Sequence, residues 1–351
     1  MSKIKIGVIF GGMSTEHDVS IVSGTSVIQN LDREKYDVYP IYISKDGDWF
    51  KYVKPIDKIE ILHIAEEPQE LVYIRNPLDY LKQIDVIFPV LHGLFGEDGT
   101  IQGLLELIKV PYIGCRVLGS CNSMDKVYTK VILDKAKIQQ VKYVYIRKHK
   151  DSYIFVDEEF NETLLSLNEV SEIISKQIGF PAFVKPSNSG SSVGIKKVSN
   201  IEELKKAIEF ASLYDVKILI EQGIEVRELE CAVLGNEDAK ASCIGEILPA
   251  EEFYSYDAKY KNDNSRVVIP ANISKEEENK IKHLAVKAFK ALDAKGLSRV
   301  DFFIDKKTGE IYLNEINTMP GFTQISMYPK LWEKSGIRYN DLLDKLINLA
   351  M

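Results

Sequence analysis

The chain has 351 residues, 45% hydrophobic and 28% charged, enough apolar material for two or three domains with ordinary cores. A net charge of −7 argues against a nucleic-acid partner, which needs a concentrated basic face, but a local basic pocket for a small anion stays open. The first apolar run breaks at Gly11-Gly12, too short for a secretory leader, and none is long enough to span a bilayer, so the expectation is a cytoplasmic protein with no membrane partner.

Residues 3–10, "KIKIGVIF", predict a buried strand, then a glycine turn and a helix from Ser20 to Leu31. A second strand at 36–43 completes a β-α-β unit, which implies a parallel sheet. A further buried strand at 84–91 leads into the loop "HGLFGEDGT" and a helix at 101–108. Residues 1–120 are therefore expected to form an α/β domain with functional loops at the carboxyl ends of its strands. "MDKVYTKVILDKAK" reads as one helix, followed by strands near 143–146, 182–185, 193–198 and 216–222. A helix after Asn200, its expected N-cap, makes 121–225 a smaller α+β unit. Residues 226–351 form the third unit, with a strand at 228–235 and a tyrosine-rich loop at 251–265 that is long enough to suggest a lid. A helix over 274–293, two strands joined by the turn "KKTG", and a C-terminal helix complete it. Cys115, Cys121, Cys231 and Cys243 form no C-x-x-C pair and read as reduced, buried thiols.

The chemistry begins in the hairpin "SRVDFFID…EIYLNEIN". Residues two apart in a strand share a face, so Arg299 goes with Asp301 and Glu315 with Asn317. Pairing about "KKTG" brings Asp301 near Glu315. Two carboxylates and an amide oxygen suit Mg²⁺ or Mn²⁺. An exposed polar face on an edge hairpin would carry the same residues, so both readings stand at this point. Lys185 closes an apolar strand before the Gly/Ser loop "PSNSGSSVG", and Lys126 sits in "SMDK". Each is a phosphate ligand or a solvated lysine. The loop matches neither the G-x-x-x-x-G-K-[ST] nor the G-x-G-x-x-G pattern, so any grip on phosphate belongs to another nucleotide fold. Glu221 and Glu228 sit at strand ends, where acids can meet an adenine amine or a ribose. Glu16, His17 and His92 lie on loops after strands of the first unit, whereas His63, His149 and His283 read as solvated.

Together these stretches resemble one family, the D-alanine–D-alanine ligases of the ATP-grasp superfamily. The resemblance runs in order through "VIFGGMSTEHDVSIVSG", "FPVLHGLFGEDGTIQGLLEL", "SMDK", "FVKPSNSGSSVGIKKV", "EQGIEVRELECAVLG", "YSYDAKY", "SRVDFFID" and "YLNEINTMPGFTQISMYPKLW", nearly the whole chain. It implies an ATP-grasp fold with an N-terminal parallel-sheet α/β domain and central and C-terminal α+β domains. The implied reaction joins two D-alanines with ATP through a D-alanyl phosphate, for peptidoglycan precursor synthesis. Asp301, Glu315 and Asn317 would hold two Mg²⁺ or Mn²⁺ ions, with Asn314 beside them at the nucleotide. Lys126, Lys185, Ser191 and Ser192 would meet phosphate, and Lys259 precedes the lid tyrosine. Glu221, the Gly223–Ile224 backbone and Glu228 would hold adenine and ribose. Arg299 and the Gly321 N–H match the oxyanion groups. Glu16 would pair with the first ammonium and His92 would lie near the first carboxylate, while Ser326 and Met327 would take the second substrate's carboxylate. Glu16, Ser191 and Tyr260 match a hydrogen-bonded set that links the first domain, flap and lid. Relatives imply a homodimer.

One position departs from the family pattern. Ile325 stands where many relatives carry His. D-serine as second substrate stays open, since a small pocket discriminates one hydroxyl only moderately. D-lactate is disfavoured, because depsipeptide-forming relatives lack a tyrosine at the position of Tyr260. A non-catalytic ATP-binding protein would have lost metal ligands or that tyrosine.

Overall fold

The structure, a computed structural model, describes residues 2–53, 70–190, 193–248, 266–323 and 325–351. The expected lid at 251–265 with Lys259 and Tyr260, the flap serines Ser191 and Ser192, and His63 lie outside the described residues.

Strands β1 (Ile4–Gly11), β2 (Tyr36–Ile43), β3 (Trp49–Tyr52), β4 (Leu71–Tyr73) and β5 (Val86–Pro89) form the first sheet, in the order β4-β3-β2-β1-β5. β1 is buried along most of its length, as a parallel strand covered on both faces must be. It pairs in parallel with β2 and β5. The expected parallel sheet is nevertheless mixed, because β3 and β4 add an antiparallel edge. Residues 44–48 make a hairpin turn there, too short for the crossover a parallel neighbour needs. Helices α1 (His17–Asn30), α2 (Pro77–Leu81) and α3 (Thr100–Ile108) accompany this sheet.

The helix expected at 124–137 is α5 (Lys126–Lys135), and a separate helix, α4 (Val117–Met124), precedes it. Asp125 between them is extended, and its carboxylate accepts the Val127 and Tyr128 N–H groups at 3.1 and 3.2 Å. Helical spacing continues on both sides of the break, so periodicity alone hides it, while Asp is a strong N-cap.

β6 (Tyr143–His149), β7 (Ser152–Val156), β8 (Glu162–Leu165), β9 (Ala182–Pro186), β10 (Lys196–Val198) and β11 (Lys217–Gln222) form an antiparallel second sheet, ordered β10-β9-β11-β6-β7-β8. The strand expected at 193–198 starts only at Lys196. Helices α6 (Leu167–Ile178) and α7 (Ile201–Ala211) bury Val170, Ile174, Leu204 and Ile208 against this sheet. Asn200 caps α7 by accepting the Glu203 N–H at 2.9 Å.

The third sheet is antiparallel: β12 (Val226–Gly235), β13 (Lys240–Leu248), β14 (Arg266–Val268), β15 (Gly296–Asp305) and β16 (Ile311–Asn317), ordered β14-β13-β12-β15-β16. Helix α8 (Lys275–Ala291) packs Ile281, Ala285 and Phe289 on one face. Helices α9 (Met327–Lys334) and α10 (Tyr339–Ala350) follow β16.

The segment between β16 and α9 joins the first and third sheets. Phe322 is fully buried in a cluster that holds Val8 and Phe88 of the first sheet with Ala232 of β12 and Leu346 of α10. Its ring meets Phe88 edge-on at 5.4 Å and Tyr328 at 5.4 Å. Among the described residues no helix is long and apolar enough to cross a membrane. Phe322→Ala should cost about 3–5 kcal/mol, read as a lower denaturant midpoint with unchanged slope. A loss below about 1 kcal/mol would mean that this ring does not anchor the two sheets.

Candidate active site

A cleft of about 1460 Å³ is lined by α1 and the loops beside the first sheet and by strands of the second and third sheets. Glu16, His92, Lys126, Lys185, Glu221, Gly223, Ile224, Glu228, Arg299, Asn314, Glu315, Asn317, Gly321, Ser326 and Met327 all face it. Asp301 lies just off the wall, hydrogen bonded to Arg299 and Asn317, which form it. A second pocket of about 130 Å³, between Gly11, Trp49, Leu91 and Leu104, holds no carboxylate or lysine. The ionic groups gather in the larger cleft.

At one end of the cleft Glu221 lies on the buried strand β11. One of its oxygens pairs with Lys130 at 2.6 Å and the other with Lys185. Burial alone would raise this carboxyl, but the two lysines outweigh it and hold it at about 2. Burial likewise opposes the charge on Lys185, yet Glu221, Glu315 and Glu228 keep its pKa above the ordinary value. Lys130 was not singled out in the sequence. Its signal is spacing, since it follows Lys126 by four residues and shares a helix face.

The flap begins at the end of β9. Lys126 Nζ donates to the Ser189 carbonyl at 2.6 Å, so this lysine holds the flap as well as facing the cleft. Ser189 Oγ donates to the Val193 carbonyl at 2.8 Å. Asp125 secures the flap base by accepting from Ser187 Oγ at 2.6 Å and pairing with Lys217. A Cβ on Gly190 would sit 2.6 Å from Glu16 Oε2, and one on Gly93 2.5 Å from the same atom. The flap and the His92 loop thus both meet Glu16 at a glycine, where a side chain would require the carboxylate to shift.

The β15–β16 register sets Asp301 opposite Glu315 and Arg299 opposite Asn317. Phe302 then pairs with Leu313, which leaves Asn314 as an extra residue in a β-bulge. The bulge breaks alternation, so Asn314 and Glu315 both reach the cleft. Arg299 donates to both oxygens of Asp301 at 2.7 Å and lies 3.1 Å from Glu230. Burial opposes its charge, but Asp301, Glu230 and Glu315 raise its pKa well above the ordinary value. Glu230, also not singled out, follows Glu228 by two and shares its strand face.

On the first sheet's side, His92 Nδ1–H donates to the Met319 carbonyl at 2.9 Å. Its Nε2 then accepts from Ser23 Oγ at 2.9 Å. Burial lowers its pKa, in keeping with a neutral ring. Ser326 Oγ accepts the Thr323 N–H at 3.0 Å at the start of α9 and would lie 2.8 Å from a Cβ on Gly321. Ile325 is largely exposed on the cleft wall. Buried Cys115 and Cys231 are free thiols pushed up to about 12 by burial, in line with packing rather than reactivity.

Lys130→Met should destabilise the fold by about 3 kcal/mol, because it removes one of two counter-ions from a buried carboxylate. The Glu221 pKa is depressed in the fold, so its contribution is complete above about 4.3 and fades as pH falls toward 2. With Lys130 gone that fading starts at higher pH, and the acid-unfolding midpoint followed by circular dichroism should rise. An unmoved midpoint would discard the pair as a stabilising feature.

Comparison with known proteins agrees with this geometry. Residues 5–115 match the family model described as D-ala D-ala ligase N-terminus, and residues 132–348 the one described as D-ala D-ala ligase C-terminus. The chain is 50% identical to a D-alanine–D-alanine ligase of Clostridium acetobutylicum, over 99% of this chain and 98% of the relative. It is 48% identical to a D-alanine–D-alanine ligase B of Clostridium tetani, over 100% of this chain and 94% of that one. Among solved structures, the D-alanine-D-alanine ligase of Coxiella burnetii superposes with TM-score 0.84 at 33% identity, covering 100% of this chain and 94% of that one. The VanG D-Ala:D-Ser ligase of Enterococcus faecalis superposes with TM-score 0.85 at 36% identity, covering 100% of both. A cleft between the loops beside the first sheet and the strands of the other two, with a carboxylate hairpin on one wall and a lysine-bound glutamate at one end, is thus set in a chain that belongs to the D-alanine–D-alanine ligase family.

Proposed function

We propose that this chain joins two D-alanines at the expense of ATP, through a D-alanyl phosphate, and that the cleft residues divide the work as follows. The observation that carries this reading is the convergence of Arg299, Asp301, Glu315 and Asn317 across one strand pair, facing Lys126, Lys185 and Glu16 across the same cleft. Phosphoryl transfer to a carboxylate needs positioning and charge neutralisation more than covalent help. Lys126 and Lys185 supply positive charge for phosphate oxygens. Glu221, the Gly223–Ile224 backbone and Glu228 line the end for adenine and ribose.

Asp301, Glu315 and Asn317 form an oxygen-donor set on two facing strands. That set fits Mg²⁺ or Mn²⁺, which when bound would neutralise the charge of the transferring phosphate. Glu16 takes the first D-alanine's ammonium, with His92 on the neighbouring loop. The amine of the second D-alanine attacks the acyl carbon, an oxyanion forms, and phosphate leaves with the C–O bond. Arg299 and the Gly321 N–H would supply the donors that this oxyanion needs. Ser326 and the first N–H groups of α9 offer an anion site for the second carboxylate. A homodimer and a cytoplasmic location belong to the same reading and rest on family membership.

D-serine is the second reading for the second substrate. It is favoured by the likeness to the D-Ala:D-Ser ligase over the full length of both chains. Phosphate and dipeptide release with ATP and Mg²⁺ should be measured on D-alanine alone, then with D-serine or D-lactate added. Turnover with D-alanine alone is the expected result. No dipeptide from D-alanine alone would discard the first reading, and dipeptide only with D-serine would establish the second.

Glu315→Ala should lower turnover about a hundredfold or more while leaving thermal unfolding unchanged. A variant that keeps its activity would sink the metal assignment.

A further inference from the structure

Glu97 lies in the loop between β5 and α3 and lines the cleft, yet none of the roles above uses it. Its carboxylate spans two loops. One oxygen accepts the Gly93 N–H at 2.9 Å, and the other accepts the Met319 N–H at 2.9 Å. The Met319 carbonyl accepts from His92, so both polar groups of that residue are held from the first sheet's side. Ser23 completes the arrangement, because its Oγ accepts the Phe322 N–H at 3.2 Å. Gly321 lies between these two tied residues, and Asn317 just before them.

We infer that Glu97 is a positioning residue, which ties the His92 loop to the Met319–Phe322 strap and so fixes the Gly321 N–H relative to the acyl group. The inference rests on the reaction proposed above. A donor misplaced by an ångström loses much of its effect on a developing oxyanion. The acyl phosphate then waits longer for the amine. Water competes for the same carbon and returns D-alanine and phosphate in place of dipeptide.

Glu97→Gln is the test. The side-chain amide has one acceptor oxygen and a donor NH₂, so it can serve Gly93 or Met319 but not both. Dipeptide kcat should fall about tenfold or more, and phosphate released per dipeptide should rise above one. The KM for ATP should stay within about twofold, since the nucleotide end at Glu221 is not touched. A folded variant with wild-type kcat and one phosphate per dipeptide would overturn the inference. If Glu97→Gln does not fold, as judged by its thermal melt, Ser23→Ala releases the other end of the strap. It should show the same uncoupling, and full coupling there would equally overturn the inference. Wild-type protein that forms no dipeptide would instead remove the underlying reaction, and the inference with it.

Discussion

Arg299 is the charge around which the cleft is arranged. A largely buried guanidinium needs matched acceptors, because desolvation costs several kcal/mol for an unpaired ion. Asp301, two residues along the same strand, takes two parallel donors, and Glu230 on the adjacent β12 lies beside them. Guanidinium has five donors, so Asp301 leaves others for the cleft. The same pairing fixes β15 against β12, whose ten-residue register runs from Val226–Asp305 to Gly235–Gly296.

That pairing also shapes the field in the cleft. Asp301, Glu230 and Glu315 act on Arg299, and Glu221, Glu315 and Glu228 act on Lys185, so Glu315 is shared by the two cations. Other buried carboxylates are also held by lysines, Glu221 by Lys130 and Lys185 and Asp125 by Lys217. A wall that carries charges of both signs this close together sets up a strong local field.

Much of the fold was legible because its elements follow simple periods. β2 at Tyr36–Ile43, the helix at Tyr339–Ala350 and the hairpin about "KKTG" are found where spacing and turn residues put them. The elements passed over include short edge strands such as β3, β4 and β14, whose burial is too partial to impose a pattern, but also the nine-residue β13. The helix α6 was passed over as well, although Ser166 and Glu169 form a capping box at its start. Site residues were legible where a strand face or motif named them, as at Asp301 and Glu315. The bulge at Asn314 was not, because a one-residue register shift is set by the tertiary pairing rather than by local preference. Lys130 and Glu97 escaped for a related reason. Each is defined by a partner far away in the chain, Glu221 in one case and Met319 in the other.

The glycines of the cleft loops extend this point, because their role is room as much as flexibility. Gly11 turns at φ +90°, where a side chain would come within 2.2 Å of the Ile43 carbonyl. Gly93 and Gly190 approach Glu16 from loops after β5 and β9, and a Cβ on either would require the Glu16 carboxylate to shift. Glu16 is itself buried, so it has little freedom to retreat. A flap built of larger residues would stop short of this carboxylate and leave water between them. The Gly/Ser composition that makes the flap costly to order is therefore also what lets it reach the first sheet. Seen from the sequence, only the cost is apparent, and the gain emerges once Glu16 is placed between the two glycines.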